Sequence, residues 1–320
     1  MTDFSILAPL VPFRTEQLLP YAAMVQWSNA HRLWQGQAMV TDPHQMFTAA
    51  AGSGFGVPVG TGVTLMPLRH PFEAALHART MAVTTGHPVI AGFGPGGAAF
   101  QKSVLGSAYA SPLTATREYV TIVKGLVDGD VVHHEGEYFF CENGLPPVPG
   151  PPVQVGIGVL RPGMARLAGE IADVAITWLT PASYLRDTIV PAVREGAARA
   201  GRPMPRVVAM VPVALGAQDR DPLEIALMSN AGHIALPHYI DMLSRSGIHV
   251  DREDPLAGAR ALIKGRAFLY GTREEVAGEL DAFREAGADE IVLNMGGVFQ
   301  RYGTRTALTE LESLLEVVAP

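Results

Sequence analysis

Residues Val153–Leu179 read VQVGIGVLRPGMARLAGEIADVAITWL. Val153–Gly158 is apolar or small and partly β-branched, as in a strand covered on both faces. Met164–Ala172 places its apolar residues at helical spacing, and Asp173–Leu179 is again an apolar run. Strand, helix and strand in so short a span form a βαβ unit, because a parallel partner needs a crossover to bring the chain back.

The same alternation extends in both directions. Strands are expected at Phe4–Val11, His31–Met39, Pro58–Met66 and Pro88–Phe93 on one side, and at Val207–Leu215 and Glu290–Asn294 on the other. Thr15 caps a helical stretch Glu16–Ala30, with Leu18, Leu19, Ala22, Val25 and Gln26 at helical spacing. Further helices are expected at Phe72–Thr84, ended by Gly86, at Thr114–Asp128, closed by Gly129, and at Ala182–Ala200, ended by Gly201. Thr272–Ala286 and Thr306–Val318 complete the set. Eight strands, nearly all followed by a helix, mean an α/β fold with a parallel sheet. A doubly wound sheet and a closed (β/α)8 TIM barrel both fit, and eight units in about 300 residues favour the barrel. His133–Pro152 reads as a loop with Pro146, Pro147, Pro149, Pro151 and Pro152 and is the one plausible linker. Strand–helix order resumes beyond it, so residues 1–320 are expected to form a single barrel domain, with a helical insertion around 219–265.

Composition narrows the function classes. With 24 basic against 31 acidic residues the net charge is −7, and no Lys/Arg cluster makes a nucleic-acid footprint. The single cysteine, Cys141, excludes an intrachain disulfide framework and any multi-cysteine metal site. No uninterrupted apolar stretch reaches the roughly 18 residues of a membrane span. Met1-Thr2-Asp3 lacks the basic flank of a signal peptide, although Phe4–Pro12 is apolar, so a cytoplasmic protein is expected.

Several motifs invite chemistry. Gly92-Phe93-Gly94-Pro95-Gly96-Gly97 matches G-x-G-x-x-G, but it lies in the fourth strand unit and carries a proline. It reads better as a glycine turn that lets a flat ring approach the strand end than as a dinucleotide fingerprint. Gly156-Ile157-Gly158-Val159-Leu160-Arg161-Pro162-Gly163-Met164 leaves a strand and enters a helix. Backbone N–H groups there can face a phosphate and Arg161 can clamp it; a plain βα turn with a surface arginine explains the pattern equally well. His233 and His238 are five apart and His133-His134 adjacent, neither of which aligns two ligands on one helix face, so no metal is expected. Trp34, Gln35 and Gln37 near the end of the second strand, with Trp178 and Thr180 at the end of the sixth, are candidates for the substrate pocket on the barrel's C-terminal rim.

Three blocks resemble the bacterial-luciferase-like superfamily of flavin and deazaflavin (coenzyme F420) dependent oxidoreductases. They are Gly60-Thr61-Gly62-Val63-Thr64 with Arg69-His70-Pro71; Gly92–Gly96 with Arg117-Glu118-Tyr119-Val120 and Gly136-Glu137-Tyr138-Phe139; and Leu160–Met164 with Ala168–Asp173 and Ile176-Thr177-Trp178. Tyr270–Val276 echoes a common entry into the last barrel helix. The resemblance implies a (β/α)8 barrel whose C-terminal rim holds F420, with FMN as the alternative. It implies a bulge with a non-prolyl cis peptide at Thr61, Gly62, Val63 and Thr64, backing the ring. It further implies a ring contact at Gly92, Phe93 and Gly94, and a phosphate site running from Gly156 through Gly158, Val159, Leu160 and Arg161 to Gly163 and Met164. The family often forms homodimers.

One departure matters. Several deazaflavin members carry Asp or Asp-His after the second-strand tryptophan, where this chain has Trp34-Gln35-Gly36-Gln37. Glutamine does not titrate and cannot act as a general base. The expectation is therefore a reductase delivering hydride from reduced F420 to an activated C=C or C=N of a small-molecule or modified-peptide substrate. A monooxygenase using reduced FMN and oxygen is the alternative, and a non-catalytic cofactor-binding barrel, supported only by Gln35 and Gln37, is the third.

Overall fold

The protein is described here by a computed structural model, covering residues 2–9 and 11–320. Eight strands form the frame: β1 (Asp3–Leu7), β2 (Leu33–Gln35), β3 (Val59–Leu65), β4 (Val89–Gly94), β5 (Val153–Gly158), β6 (Val174–Trp178), β7 (Arg206–Leu215) and β8 (Glu290–Asn294). Each pairs in parallel with the next, and β8 pairs with both β7 and β1, so the sheet closes into a (β/α)8 barrel. All eight expected strands are present. Two are several residues shorter than expected, β1 ending at Leu7 and β2 keeping only Leu33–Gln35, and β3 and β6 each lose one residue at either end. Leu10, part of the expected first strand, lies outside the described residues.

Period-two alternation sorts the strand residues into two cores. Leu7, Trp34, Ile90, Val174, Ile176, Val208, Met210 and Val292 fill the barrel interior. Their neighbours Ile6, Leu33, Val89, Phe93, Ile157, Val207 and Ile291 face outward, in one cluster with the helix residues Ala74, Ala78, Ile122, Leu280 and Leu314. Each fully buried Leu- or Ile-sized side chain contributes about 1.5–3 kcal/mol of transfer free energy.

Pattern reading misses several elements. The expected loop His133–Pro152 contains most of an antiparallel hairpin, Val131–Glu135 with Phe140–Gly144. Its turn is held by the Glu118 carboxylate, which accepts the backbone N–H groups of Glu137, Tyr138 and Phe139 at 2.8–3.0 Å. A Cβ on Gly136 would stand 2.4 Å from the Glu118 carboxyl carbon, which explains why these two parts of one sequence block belong together. Helices Pro43–Gly52 and Ala98–Leu105 were not expected, although Asp42-Pro43 carries the cap-then-proline signal. The first expected helix, from Glu16, is split into a short 3-10 turn Thr15–Gln17 and a helix Leu19–Trp27. The last helix starts at Gly296, ten residues ahead of Thr306, and breaks at Gly303 with φ 80°. Three helices, Pro222–Ile234, Pro237–Arg245 and Pro255–Lys264, occupy the insertion. No helix among the described residues is long and apolar enough to cross a membrane.

Candidate active site

The C-terminal ends of the strands form the barrel mouth. On β3 the pairing register with β4 slips between Thr61 and Thr64, and the Gly62–Val63 peptide is cis. A bulge shifts every later side chain to the other face. Gly60 faces inward against the Trp34 indole, so a regular strand would turn Val63 outward; instead Val63 packs on the interior core. The Thr61 hydroxyl replaces the broken ladder by accepting the Gly92 N–H at 2.9 Å.

Val63 rests on a trough of glycines. A Cβ on Gly94 would lie 2.9 Å from Val63 Cγ2, and one on Gly158 would lie 3.3 Å from Val63 Cγ1. Deeper in the barrel, a Cβ on Gly92 would lie 2.2 Å from the Thr61 carbonyl oxygen, and one on Gly156 would lie 2.8 Å from Ile176 Cδ1. Only glycine lets β3, β4 and β5 present so flat a face. The turn Gly96-Gly97 beyond it is pinned by Gln101, which donates to the carbonyls of Pro95 (3.0 Å) and Gly96 (2.9 Å).

Next to this shelf, β5 leads into the helix Pro162–Ile171, whose first-turn amides have no intrahelical acceptor. The flat shelf and the free amides fit a planar ring carrying an anionic tail. Val63, Gly94 and Gly158 would back the ring, and Gly163 and Met164 would offer amides to a phosphate. Thr61, Thr64, Phe93, Ile157 and Val159 are buried, main chain included, and support the shelf from behind. Gly62 and Gly156 are filled in from below by Met210 and Ile176. Arg161, half-exposed, pairs with Asp241 of the insertion at 3.5 Å.

The pocket candidates separate. Trp34 lies wholly in the barrel interior, and its indole N–H donates to Glu290 at the opposite end, so it does not reach the mouth. Gln35 shares the outward face of Leu33 by strand alternation; it is buried, with its carbonyl oxygen unpaired. The Gln37 backbone N–H donates to the Val63 carbonyl at 3.0 Å, and its side-chain oxygen is also buried and unpaired. Trp178 is turned inward at the top of β6 and does line the mouth. Leu179 behind it takes a left-handed φ of 56°, and Thr180 folds back to donate to the Trp178 carbonyl at 3.2 Å.

Pattern reading did not find the opposite wall. The helix Pro222–Ile234 runs across the mouth: Ser229 approaches Gly296 beside Asn294 at the end of β8, and His233 stacks on Trp178 at the end of β6, ring centroids 5.1 Å apart. Tyr239 meets His233 edge-on at 4.9 Å. His238 approaches Gly97 after β4, within 3.7 Å of where a Cβ would stand. Burial, with His238 adding to it, holds the His233 imidazole down to about 4, so it is neutral at physiological pH. Trp178 Nε1, Ser229 Oγ and His233 Nδ1 are buried without a hydrogen-bond partner. The histidine and tyrosine spacing was visible in the sequence, but it carries a signal only once the helix is known to cross the mouth.

Among the described residues one group of metal-type ligands comes together, Asp3, His31 and Glu290, and it lies at the other end of the barrel. Arg206 already pairs with Asp3 (2.7 Å) and approaches Glu290 (3.5 Å), while Arg32 lies 3.4 Å from Glu290.

Comparison with known proteins agrees with this architecture. Residues 14–290 match the family described as luciferase-like monooxygenase. A 5,10-methylenetetrahydromethanopterin reductase of Methanopyrus kandleri is 27% identical over 258 residues, 74% of this chain and 72% of the relative. An F420-dependent glucose-6-phosphate dehydrogenase of Nakamurella multipartita is 33% identical over 152 residues, 46% of this chain and 44% of the relative. The solved structure of an F420-dependent secondary alcohol dehydrogenase in complex with an F420–acetone adduct superposes with a TM-score of 0.77 at 20% identity. It covers 100% of this chain and 99% of that one, a likeness of fold.

Proposed function

We propose, from the premise that this chain belongs to the luciferase-like monooxygenase family, that it is a coenzyme F420-dependent oxidoreductase working in the direction of reduction. Hydride passes to an activated C=C or C=N bond of a small-molecule or modified-peptide substrate. The deazaflavin reading is supported by the names of the relatives and by the fit of the glycine shelf.

One observation carries the direction of the reaction. The inward-facing side chains at the top of the barrel are uncharged: Val63 on β3, Trp178 on β6 and Asn294 on β8, beside Gly94 and Gly158. His233, stacked behind Trp178, is neutral. Oxidising an alcohol needs a base at the hydroxyl; none of these groups is a carboxylate, and burial makes the mouth imidazoles, His233 and His238, weak proton acceptors. When bound, the reduced deazaflavin supplies the hydride. The chain's part is to hold ring and substrate face to face, with Val63 behind the ring and the Trp178–His233 wall opposite, so that little entropy remains to be lost at the transition state. The proton that completes the reduction comes from water at the mouth, which has the same access as the substrate.

The test is anaerobic. Purified protein with reduced F420 is offered enones, quinones and cyclic imines, and reoxidation of the deazaflavin is followed by its visible absorbance. Turnover without oxygen is expected. Oxygen uptake coupled to reduced FMN, with reduced F420 left unconsumed, would replace this reading with the monooxygenase one, and turnover of secondary alcohols by oxidised F420 would reverse the direction.

A further inference from the structure

Leu179, the residue after β6, has a left-handed backbone with φ 56°. That conformation suits glycine, because a Cβ crowds the neighbouring carbonyl oxygen there. Among the described residues nine glycines take a positive φ, and only Leu179 and Arg266 do so with a side chain. Arg266 has an ordinary reason. It lies in the turn that ends the helix Pro255–Lys264, and its N–H meets the Ile263 carbonyl at 3.1 Å. Leu179 follows a strand instead. It is completely buried, and its N–H makes only a stretched 3.3 Å contact with the Met210 carbonyl. A buried residue with a branched side chain stays in so strained a conformation only where its surroundings over-determine it.

Those surroundings hold the turn from several sides. Trp178 packs on the barrel interior, and Leu179 is locked in the outer core between sheet and helices. Thr180, 3% exposed, turns back to donate to the Trp178 carbonyl at 3.2 Å. The indole that emerges from this turn is stacked on His233, with ring centroids 5.1 Å and planes 27° apart. We infer that Leu179 is a positioning residue for the substrate pocket. Its left-handed turn, clamped by its own buried side chain, sets the angle at which Trp178 enters the mouth and the face it offers to the substrate. This rests on the reading of the mouth as the substrate pocket. Glycine would make the same turn without strain but would leave the backbone free to swing, and the indole would swing with it. A wall already fixed in one orientation has little freedom left to lose when the substrate arrives.

The experiment compares Leu179→Ala, Leu179→Gly and Leu179→Met, with Leu280→Ala as a control that empties the same outer core on a distant helix. Leu179→Gly should melt above Leu179→Ala, because glycine alone takes the turn without the Cβ clash. The indole is read without turnover, from the acrylamide quenching and the anisotropy of the Trp178 emission, obtained by subtracting the spectrum of Trp178→Phe. Quenching should rise severalfold and anisotropy fall in both the Ala and the Gly variants, and Leu179→Met should restore most of the wild-type signal. On a substrate accepted in the anaerobic assay, the same two variants should lose about tenfold in kcat/KM, mostly in kcat. If Leu179→Gly melts no higher than Leu179→Ala, the turn is unstrained and the inference falls. An unchanged Trp178 signal in both variants, or an equal change in Leu280→Ala, would reduce Leu179 to ordinary core packing. If no form of the protein, wild type included, reduces any substrate while the Trp178 signal still follows Leu179, the proposed reaction fails and the positioning of Trp178 stands.

Discussion

At the base of the barrel Glu290 is completely buried; its Oε1 is fully engaged, while its Oε2 makes no hydrogen bond and faces the Arg206 guanidinium at 3.5 Å. The Ser5 hydroxyl and the Trp34 indole N–H each donate to Oε1 at 2.6 Å, and Arg32 and Arg206 flank the carboxylate. At the mouth of the same barrel, Trp178 Nε1, His233 Nδ1 and Ser229 Oγ are buried with no partner, and the inward side chains Val63, Trp178 and Asn294 include no carboxylate. An unsatisfied buried polar group costs about 1–3 kcal/mol, and at the mouth no opposite charge offsets it as the two guanidiniums offset the Glu290 carboxylate. The difference separates scaffold from site: one end spends its polar groups on itself, and the other leaves them for something else to meet.

The largest effect should come from the base. Glu290→Ala leaves the buried Arg32 guanidinium without its carboxylate, while Arg206 keeps Asp3, and should cost about 3–5 kcal/mol in urea unfolding. The affinity of the folded fraction for cofactor should not change; a loss of affinity at full folding would dissolve the distinction between the two ends. Trp34→Phe tests the same boundary. It removes a charge-assisted hydrogen bond and should cost about 1.5–3 kcal/mol, again with cofactor binding intact. If binding falls instead, Trp34 reaches the site after all.

At the mouth the expectation is reversed. Gly94→Ala drives a Cβ against Val63 and tilts the shelf, and an overpacking penalty of about 1–3 kcal/mol felt in the complex means a ten- to hundredfold weaker Kd. Thermal stability should fall less than for the base variants. The smallest effect is a pH dependence. His233 titrates at about 4 in the folded protein and near its ordinary value of about 6.5 when unfolded, so the unfolded chain binds more protons between those values. Stability should therefore be complete above about pH 6.5 and decline toward pH 4, and His233→Phe should flatten that limb. An unchanged limb in the variant would mean that His233 keeps an ordinary pKa.

Much of the scaffold was legible because its signals are local. Val153–Leu179 shows its strand–helix–strand order in the side chains themselves, and Gly86 and Gly129 end their helices in the left-handed conformation that favours glycine. The shelf was half legible: Gly92, Gly94 and Gly158 stand out, but the bulge that turns Val63 inward arises from pairing with β4 and leaves no periodic trace. Gln35 was misplaced for a related reason, since reading a residue as rim says nothing about which side of the pleat it takes. The insertion was least legible. Its first helix, Pro222–Ile234, lies across the polar mouth and has no one-sided apolar stripe, and Pro255–Lys264 packs on that helix and not on the sheet.

By itself, the sequence determined the eight βα units, the glycine turns at the strand ends and the lack of an acid after Trp34, because each depends on neighbours a few positions apart. Closure of the sheet, the inward Val63, the pairing of Trp34 with Glu290 across 256 positions of chain, and the placing of His233 on Trp178 were decided only by tertiary structure. These contacts join residues far apart in sequence, and no local propensity carries information about which of them will meet.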